Sequence, residues 1–195
     1  MNMKIGVLAL QGDFSEHLAA LRKLSVDAVE VRLPSDLINL YGIIIPGGES
    51  TVIGKLATEV ELIAPLQEFG KKHAIWGTCA GSIFLAKYTN KQQPLLYLID
   101  IEIERNAFGR QIHSFQEMID ISSMADKKGL NTQFQAIFIR APMIRAVKGD
   151  VKPLAVLANG AIVAAQQGKI LVTTFHPELS DDLRLHQYFL TLVNS

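Results

Sequence analysis

The chain has 195 residues, 49% of them hydrophobic, and its 19 Lys and Arg balance 19 Asp and Glu. That length fits one domain with a sizeable core, and the lack of a basic stripe or acidic tail argues against nucleic acid as a partner, leaving a small molecule or another protein. The single cysteine excludes an internal disulfide framework and suits a reducing cytoplasm.

In chain order, KIGVLAL (4–10) reads as a buried strand. It runs into Gln11, Gly12 and Asp13, so it is too short to span a membrane, and no leader-cleavage pattern follows. Leu18, Leu21 and Leu24 recur at helical spacing in SEHLAALRKL (15–24). AVEVRL (28–33) is a second strand, and GIIIP (42–46) is a continuous β-branched run, as in a strand covered on both faces. ELIAPLQEFGKK (61–72) is helical with Pro65 as a weak point, AIWG (74–77) is a strand, and SIFLAKY (82–88) opens a helix. This β–α–β–α order predicts an α/β fold: an open, mostly parallel sheet in three layers, with helices on both faces.

The second half is richer in strands: 98–104, 114–121, 134–141 and 154–175, the last punctuated by hairpin turns at Asn159-Gly160 and Gln167-Gly168. DDLRLHQYFLTLV (181–193) reads as an amphipathic helix with acidic residues in its first turn. Nothing resembles a repeat or a linker, so residues 1–195 are expected to form one domain.

GTCAG (77–81) has the spacing G-x-C-x-G between a strand and a helix. That is the cysteine counterpart of the nucleophile elbow, in which a sharp turn presents the central side chain at the carboxyl end of the strand. The first-turn N–H of Ala80 would be free to meet a developing oxyanion. A free cysteine is otherwise one of the most commonly buried residues, so Cys79 needs a base to count as a nucleophile.

Five histidines compete for that role. His17, His73 and His186 read as structural or solvated, and His113 is ambiguous. His176 ends the run ILVTTF and precedes Pro177, which keeps it out of the helical region. In an extended stretch His176 and Glu178 project to one side, so the carboxylate could fix the imidazole tautomer, directly or through a small bend. The other glycine loop, PGGEST (46–51), follows the buried strand and lacks a P-loop ending. Ser50 or Thr51 could cap a following helix there, and the Gly48 N–H could serve as a second oxyanion donor. No metal signature is present, and no cofactor is expected.

GTCAG together with FHPE resembles the class I, triad-type glutamine amidotransferases, which have a flavodoxin-like sheet. GVLALQGDFSEH, PGGEST, RNAFGRQIHSF, FIRAP and FHPEL, in that order along almost the whole chain, narrow the resemblance to the glutaminase subunits of pyridoxal 5′-phosphate synthase. The resemblance implies that Cys79 attacks the carboxamide of L-glutamine, with His176 relaying the proton and Glu178 orienting it. It also implies oxyanion donors at Gly48 and Ala80. Glutamine would be held by Gly47, Gly48, Glu49, Ser50, Arg105, Ile139 and Arg140. The ammonia would pass to a (β/α)8-barrel synthase subunit in a twelve-plus-twelve assembly, with Gln11 and Glu49 near the interface. The same chemistry could serve another synthase, such as the imidazole glycerol phosphate branch of histidine synthesis, or the fold could survive as a non-catalytic regulatory subunit. Gln116 and Met143 replace the glutamate and histidine usual at these positions in the family, and 122–134 is slightly long.

Overall fold

The computed structural model describes residues 3–105, 114–124 and 131–195. Most of RNAFGRQIHSF, including His113, and part of 122–134 therefore lie outside the described residues. The elements run β1 (Lys4–Leu8), α1 (Phe14–Lys23), β2 (Asp27–Val31), β3 (Gly42–Ile45), α2 (Ser50–Glu59), α3 (Ile63–Gly70), β4 (Ala74–Thr78), α4 (Ala80–Leu85) and β5 (Ala86–Thr89). They continue with β6 (Ile99–Glu104), β7 (Ser114–Asp120), β8 (Gln133–Ile139), β9 (Met143–Val147), β10 (Lys152–Val156), β11 (Ile162–Gln167), β12 (Ile170–Thr173) and α5 (Arg184–Val193).

The main sheet has the order β2-β1-β3-β4-β12-β11-β9-β6-β5, with β10 paired to β11. Its first five strands are parallel, antiparallel pairs run from β12 through β11 and β9 to β6, β5 joins β6 in parallel at the edge, and β7 and β8 form a separate antiparallel ribbon. The expected α/β architecture is present: a flavodoxin-like parallel sheet with an antiparallel second half.

Two apolar clusters sandwich the sheet. Ile43, Ile45 and Ile75 point into one with Ile53, Leu66 and Phe84 of α2, α3 and α4. Ile44 and Trp76 point into the other with Leu21 of α1, Phe189 of α5 and Phe138 of β8. Alternate residues of GIII thus enter opposite layers, which is why the run is apolar without a break. Among the described residues, no helix is long and apolar enough to cross a membrane.

Local details depart from the sequence reading for simple reasons. Pro65 does not interrupt α3; it is the third residue, within the first turn, where a missing N–H costs nothing. The apolar run after Ala80 stays helical only to Leu85 and then enters β5. α5 begins at Arg184, so Asp181 and Asp182 precede it; the Asp182 carboxylate accepts from the Arg184 N–H at 3.1 Å and pairs with its guanidinium. α2 is capped by neither Ser50 nor Thr51 but by Glu49, whose carboxylate accepts from the Thr51 N–H.

The topology puts the carboxyl ends of β1, β3, β4 and β12 along one edge. The loops leaving them carry Gln11 and Asp13, Gly47 to Ser50, Cys79, and His176. β4 and β12 are tied by the ladder and by a buried bond in which the Trp76 indole donates to Thr173 Oγ1 at 3.2 Å. Thr173→Val keeps the shape but strands that indole N–H, so equilibrium urea unfolding should show a loss of about 1–3 kcal/mol. An unchanged midpoint would contradict this account of how the two strands are held.

Candidate active site

Cys79 occupies the turn between β4 and α4 with φ 45° and ψ −107°. A non-glycine residue there is strained, by about 1–3 kcal/mol, so its surroundings must over-determine it. They do. The Cys79 N–H donates to Thr173 O at 2.8 Å, and the Cys79 carbonyl accepts from the Ser82 N–H at 3.1 Å and from the Ser82 hydroxyl at 2.5 Å. Gly81 lets α4 lie directly on the end of β3, since a Cβ there would collide with the Ile45 carbonyl oxygen.

His176 follows β12, and Pro177–Leu179 forms a single 3-10 turn rather than an extended strand. The turn folds Glu178 back, so the small bend, not a shared strand face, brings the pair together. His176 Nδ1 donates to Glu178 Oε1 at 2.7 Å. That leaves Nε2 for Cys79, which stands close enough to the imidazole to raise its pKa. All three residues are buried, and the sulfur lies 3.9 Å from the Ile139 carbonyl. The His176 N–H donates to Ile137 O at 2.9 Å, fixing the histidine loop to β8.

Burial alone would lower the His176 pKa, but the hydrogen bonds and charges of Cys79 and Glu178 outweigh it and raise it to about 10. Burial pushes the Glu178 carboxyl up, against the opposing pull of His176. The imidazole is therefore held in a setting that favours its protonated form, with the carboxylate on its far side.

The glycine loop 46–49 lies against this pair. Gly47 packs so closely on the His176 ring that a Cβ would overlap it. Gly48 has φ +149°, and a Cβ would meet the Gln11 side chain. Gln11 Oε1 accepts from the Glu49 N–H at 2.7 Å. Among the described residues, no hydrogen bond uses the N–H of Gly48 or of Ala80, so both donors are unspent.

Next to the loop is a polar cluster. Arg105 donates from Nη2 to Glu49 Oε1 at 2.5 Å and from Nη1 to Gln93 Oε1 at 3.2 Å, and Ser50 Oγ donates to Gln93 Oε1 at 3.1 Å. Burial raises the Glu49 carboxyl, but Thr51 and Arg105 hold it below the usual range. Arg140 follows β8 directly, with φ 45° and an exposed side chain, beside Ile139. The structure thus gathers Cys79, His176, Glu178 and Gly47 at one point, Glu49, Ser50 and Arg105 at a second, and ties Ile139 to the sulfur through its carbonyl. It gives no contact between Arg140 and these groups.

Four residues were not singled out by motif. Gln93 joins Ser50 to Arg105, and among the described residues its buried Nε2 has no hydrogen-bond partner. Asp13 is the N-cap of α1, yet its carboxylate caps nothing and stands 3.4 Å from His176 Nδ1. His17 and His186 are fully buried behind Glu178. Asp13 and His17 are four apart at a helix start, so they share one face, and that spacing was the available signal. Asp13, His176 and Glu178 could offer three ligand atoms within 4.8 Å of one another, but a cation there would occupy the atoms that orient the base.

Fold and site together define a cysteine hydrolase of the class I amidotransferase type. The chain belongs to the SNO glutamine amidotransferase family, whose model matches residues 7–195. It is 50% identical to the pyridoxal 5′-phosphate synthase subunit PdxT of Desulforamulus reducens over 98% of this chain and all of that one. It is 47% identical to the PdxT subunit of Chloroflexus aurantiacus over 97% of this chain and all of that one. A crystal structure described as a glutamine amidotransferase superposes with TM-score 0.90 at 44% identity, covering 98% of this chain and 99% of the other. PurLQS of Thermotoga maritima shares the fold at TM-score 0.68 and 14% identity, over 98% of this chain and 99% of that one.

Two predictions follow the geometry. Gly81→Ala should cost roughly 2 kcal/mol or more, because its methyl meets backbone rather than a movable side chain; thermal unfolding that matches the parent would contradict the tight helix–strand contact. Stability should also fall on both sides of neutrality. His186 is depressed to about 4 by burial, so below the ordinary histidine value of 6.5 the unfolded chain binds more protons and stability declines as pH falls towards 4. His176 is raised to about 10, so its contribution is complete below 6.5 and is lost as pH climbs from there to 10. Urea unfolding at acid, neutral and alkaline pH checks this; a profile still rising at pH 9 would contradict it.

Proposed function

We propose that Cys79, His176 and Glu178 carry out the glutaminase half-reaction of pyridoxal 5′-phosphate synthesis. The observation that carries the proposal is the buried 2.7 Å bond between His176 and Glu178 beside the strained Cys79 turn, on adjacent parallel strands. The sulfur attacks the side-chain carboxamide carbon of L-glutamine, and the carbonyl oxygen takes up the negative charge. The Gly48 and Ala80 N–H groups are the donors for that oxyanion. Collapse breaks the C–N bond, His176 gives its proton to the leaving nitrogen, and ammonia departs from a thioester. Water then attacks the thioester carbon, His176 accepts its proton, and glutamate leaves. Glu178 keeps the proton of His176 on Nδ1, so that Nε2 faces the chemistry.

Gly47, Gly48, Glu49, Ser50, Arg105, Ile139 and Arg140 form the glutamine pocket in this reading. A guanidinium suits the α-carboxylate because it can bind both oxygens. The partner is the synthase subunit that consumes the ammonia, a (β/α)8 barrel in a twelve-plus-twelve complex with this chain. The PdxT relatives at 45–50% identity favour that acceptor over the histidine pathway. A free catalytic thiol fits a cytoplasmic home, and the chain is read as one domain throughout.

With the synthase subunit present, Cys79→Ala should release no glutamate while keeping the parent circular dichroism spectrum. Glu178→Gln should lower kcat by about 10²–10⁴-fold. Glutamate release at the parent rate from either variant would remove that residue from the mechanism. Activation by the imidazole glycerol phosphate partner alone would reassign the acceptor.

A further inference from the structure

We propose that His17 is a positioning residue for the triad: its Nε2–H donates to Glu178 Oε2 and holds that carboxylate in register with His176. The proposal rests on the triad reading above.

Glu178 has two oxygens to satisfy in a buried site. Oε1 takes the His176 proton. Oε2 is buried, and among the described residues no hydrogen bond reaches it; His17 Nε2 stands 3.4 Å away, outside hydrogen-bond geometry as it lies and aimed more directly at Thr78 Oγ1. An ionised carboxylate oxygen without a donor in such a place is costly. Catalytic hydrogen bonds are often long before substrate binds and tighten afterwards.

The surroundings of His17 fix its proton. Its Nε2 is 3.1 Å from Thr78 Oγ1, and its Nδ1 is 3.0 Å from His186 Nε2. Both imidazoles are fully buried, with their rings 5.7 Å and 5.0 Å from that of Trp76. Burial first, then the charges of His186 and His176, hold His17 in the neutral form. Two neutral arrangements remain. In one, His17 carries its proton on Nδ1 and donates to His186. That turns the Nε2 lone pair towards the Thr78 hydroxyl and the Glu178 carboxylate and, among the described residues, leaves a second donor, His186 Nδ1–H, buried without a partner. In the other, His186 Nε2–H donates to His17 Nδ1, and His17 Nε2–H is shared between Thr78 Oγ1 and Glu178 Oε2. Only an acceptor, His186 Nδ1, then goes unpaired, and the carboxylate gains a donor. The second arrangement is the cheaper one, since it removes a lone-pair repulsion and a stranded N–H together.

The result is a line from α5 through α1 to the histidine loop: His186, His17, Glu178, His176, Cys79. Glu178 is faced by His176, His17 and Asp13, while Glu16, Lys23 and Asp181 line the cleft on its outer side. β8, which also packs on this turn, brings no titratable side chain. Burial already pushes the Glu178 carboxyl up; on this proposal, loss of a His17 donor would push it further. The carboxylate would then take up a proton at a higher pH and stop orienting His176.

The test is glutamate release by the complex with its synthase subunit, across pH, for the parent, His17→Leu, His17→Gln and Cys79→Ala. His17→Leu should lower kcat about tenfold or more at little change in KM, and move the acid limb upward by about half a pH unit or more. His17→Gln carries an N–H to nearly the same place and should restore most of both. A His17→Leu enzyme with the parent acid limb, or a Gln variant no better than Leu, would overturn the proposal. If the variants do not fold, 15N-histidine NMR of the unaltered chain decides: a proton on His17 Nε2 supports the proposal, and a proton on Nδ1 contradicts it. Cys79→Ala separates the two layers. If it still releases glutamate, the triad reading fails; if it is dead while His17→Leu behaves like the parent, only this inference fails.

Discussion

The buried carboxylate of Glu178 can remain charged only while its partners offset the loss of water. One oxygen accepts a charge-assisted bond from His176, and the surrounding helix and strand ends must supply the rest. That requirement explains why the site is deep rather than open. It explains the 3-10 turn at Pro177–Leu179, which trades strand pairing for a reach back to the imidazole.

The cysteine side of the site obeys a different constraint. A nucleophile at the end of a strand needs a backbone that few residues tolerate, and Cys79 adopts it at φ 45°. The strain is absorbed by its neighbours: the Thr173 carbonyl before it, Ser82 after it, and a glycine that lets α4 touch β3. Because β4 and β12 are adjacent and parallel, the strained turn and the histidine loop emerge side by side. The elbow fixes where the sulfur is, the turn at Pro177–Leu179 brings the Glu178 carboxylate back to the His176 ring, and the sheet sets the two loops side by side. The glycine loop closes the third side, with Gly47 against His176 and Glu49 anchored to both Gln11 and Arg105.

Much of this was legible in the residues. GIII showed a strand covered on both faces, and G-x-C-x-G showed the elbow, because both are local consequences of packing and backbone sterics. His176 and Glu178 were legible as a pair joined directly or through a small bend, and the fold makes that bend a 3-10 turn. Other features were hidden because they depend on distant parts of the chain. His17 and His186 stand 169 positions apart, and either one alone on an amphipathic helix looks like a core residue. Asp13 drew no functional reading from the sequence, and only the fold sets its carboxylate beside His176. Glu49 displaced Ser50 and Thr51 as the cap of α2, since its side chain bridges Thr51 and Arg105 at once. Gln93 belongs to no motif, and its role emerges only where β6 delivers Arg105 next to α2.

The central claim is that the sulfur of Cys79 becomes covalently bonded to the glutamine side-chain carbon, with this sheet edge holding every group that assists. Mass spectrometry of the complex after treatment with an electrophilic glutamine analogue tests that most directly. The account predicts one adduct per chain on the peptide carrying Cys79, blocked by excess L-glutamine and accompanied by loss of glutamate release. Full glutaminase activity with Cys79 modified, or inactivation with the label elsewhere, would contradict it.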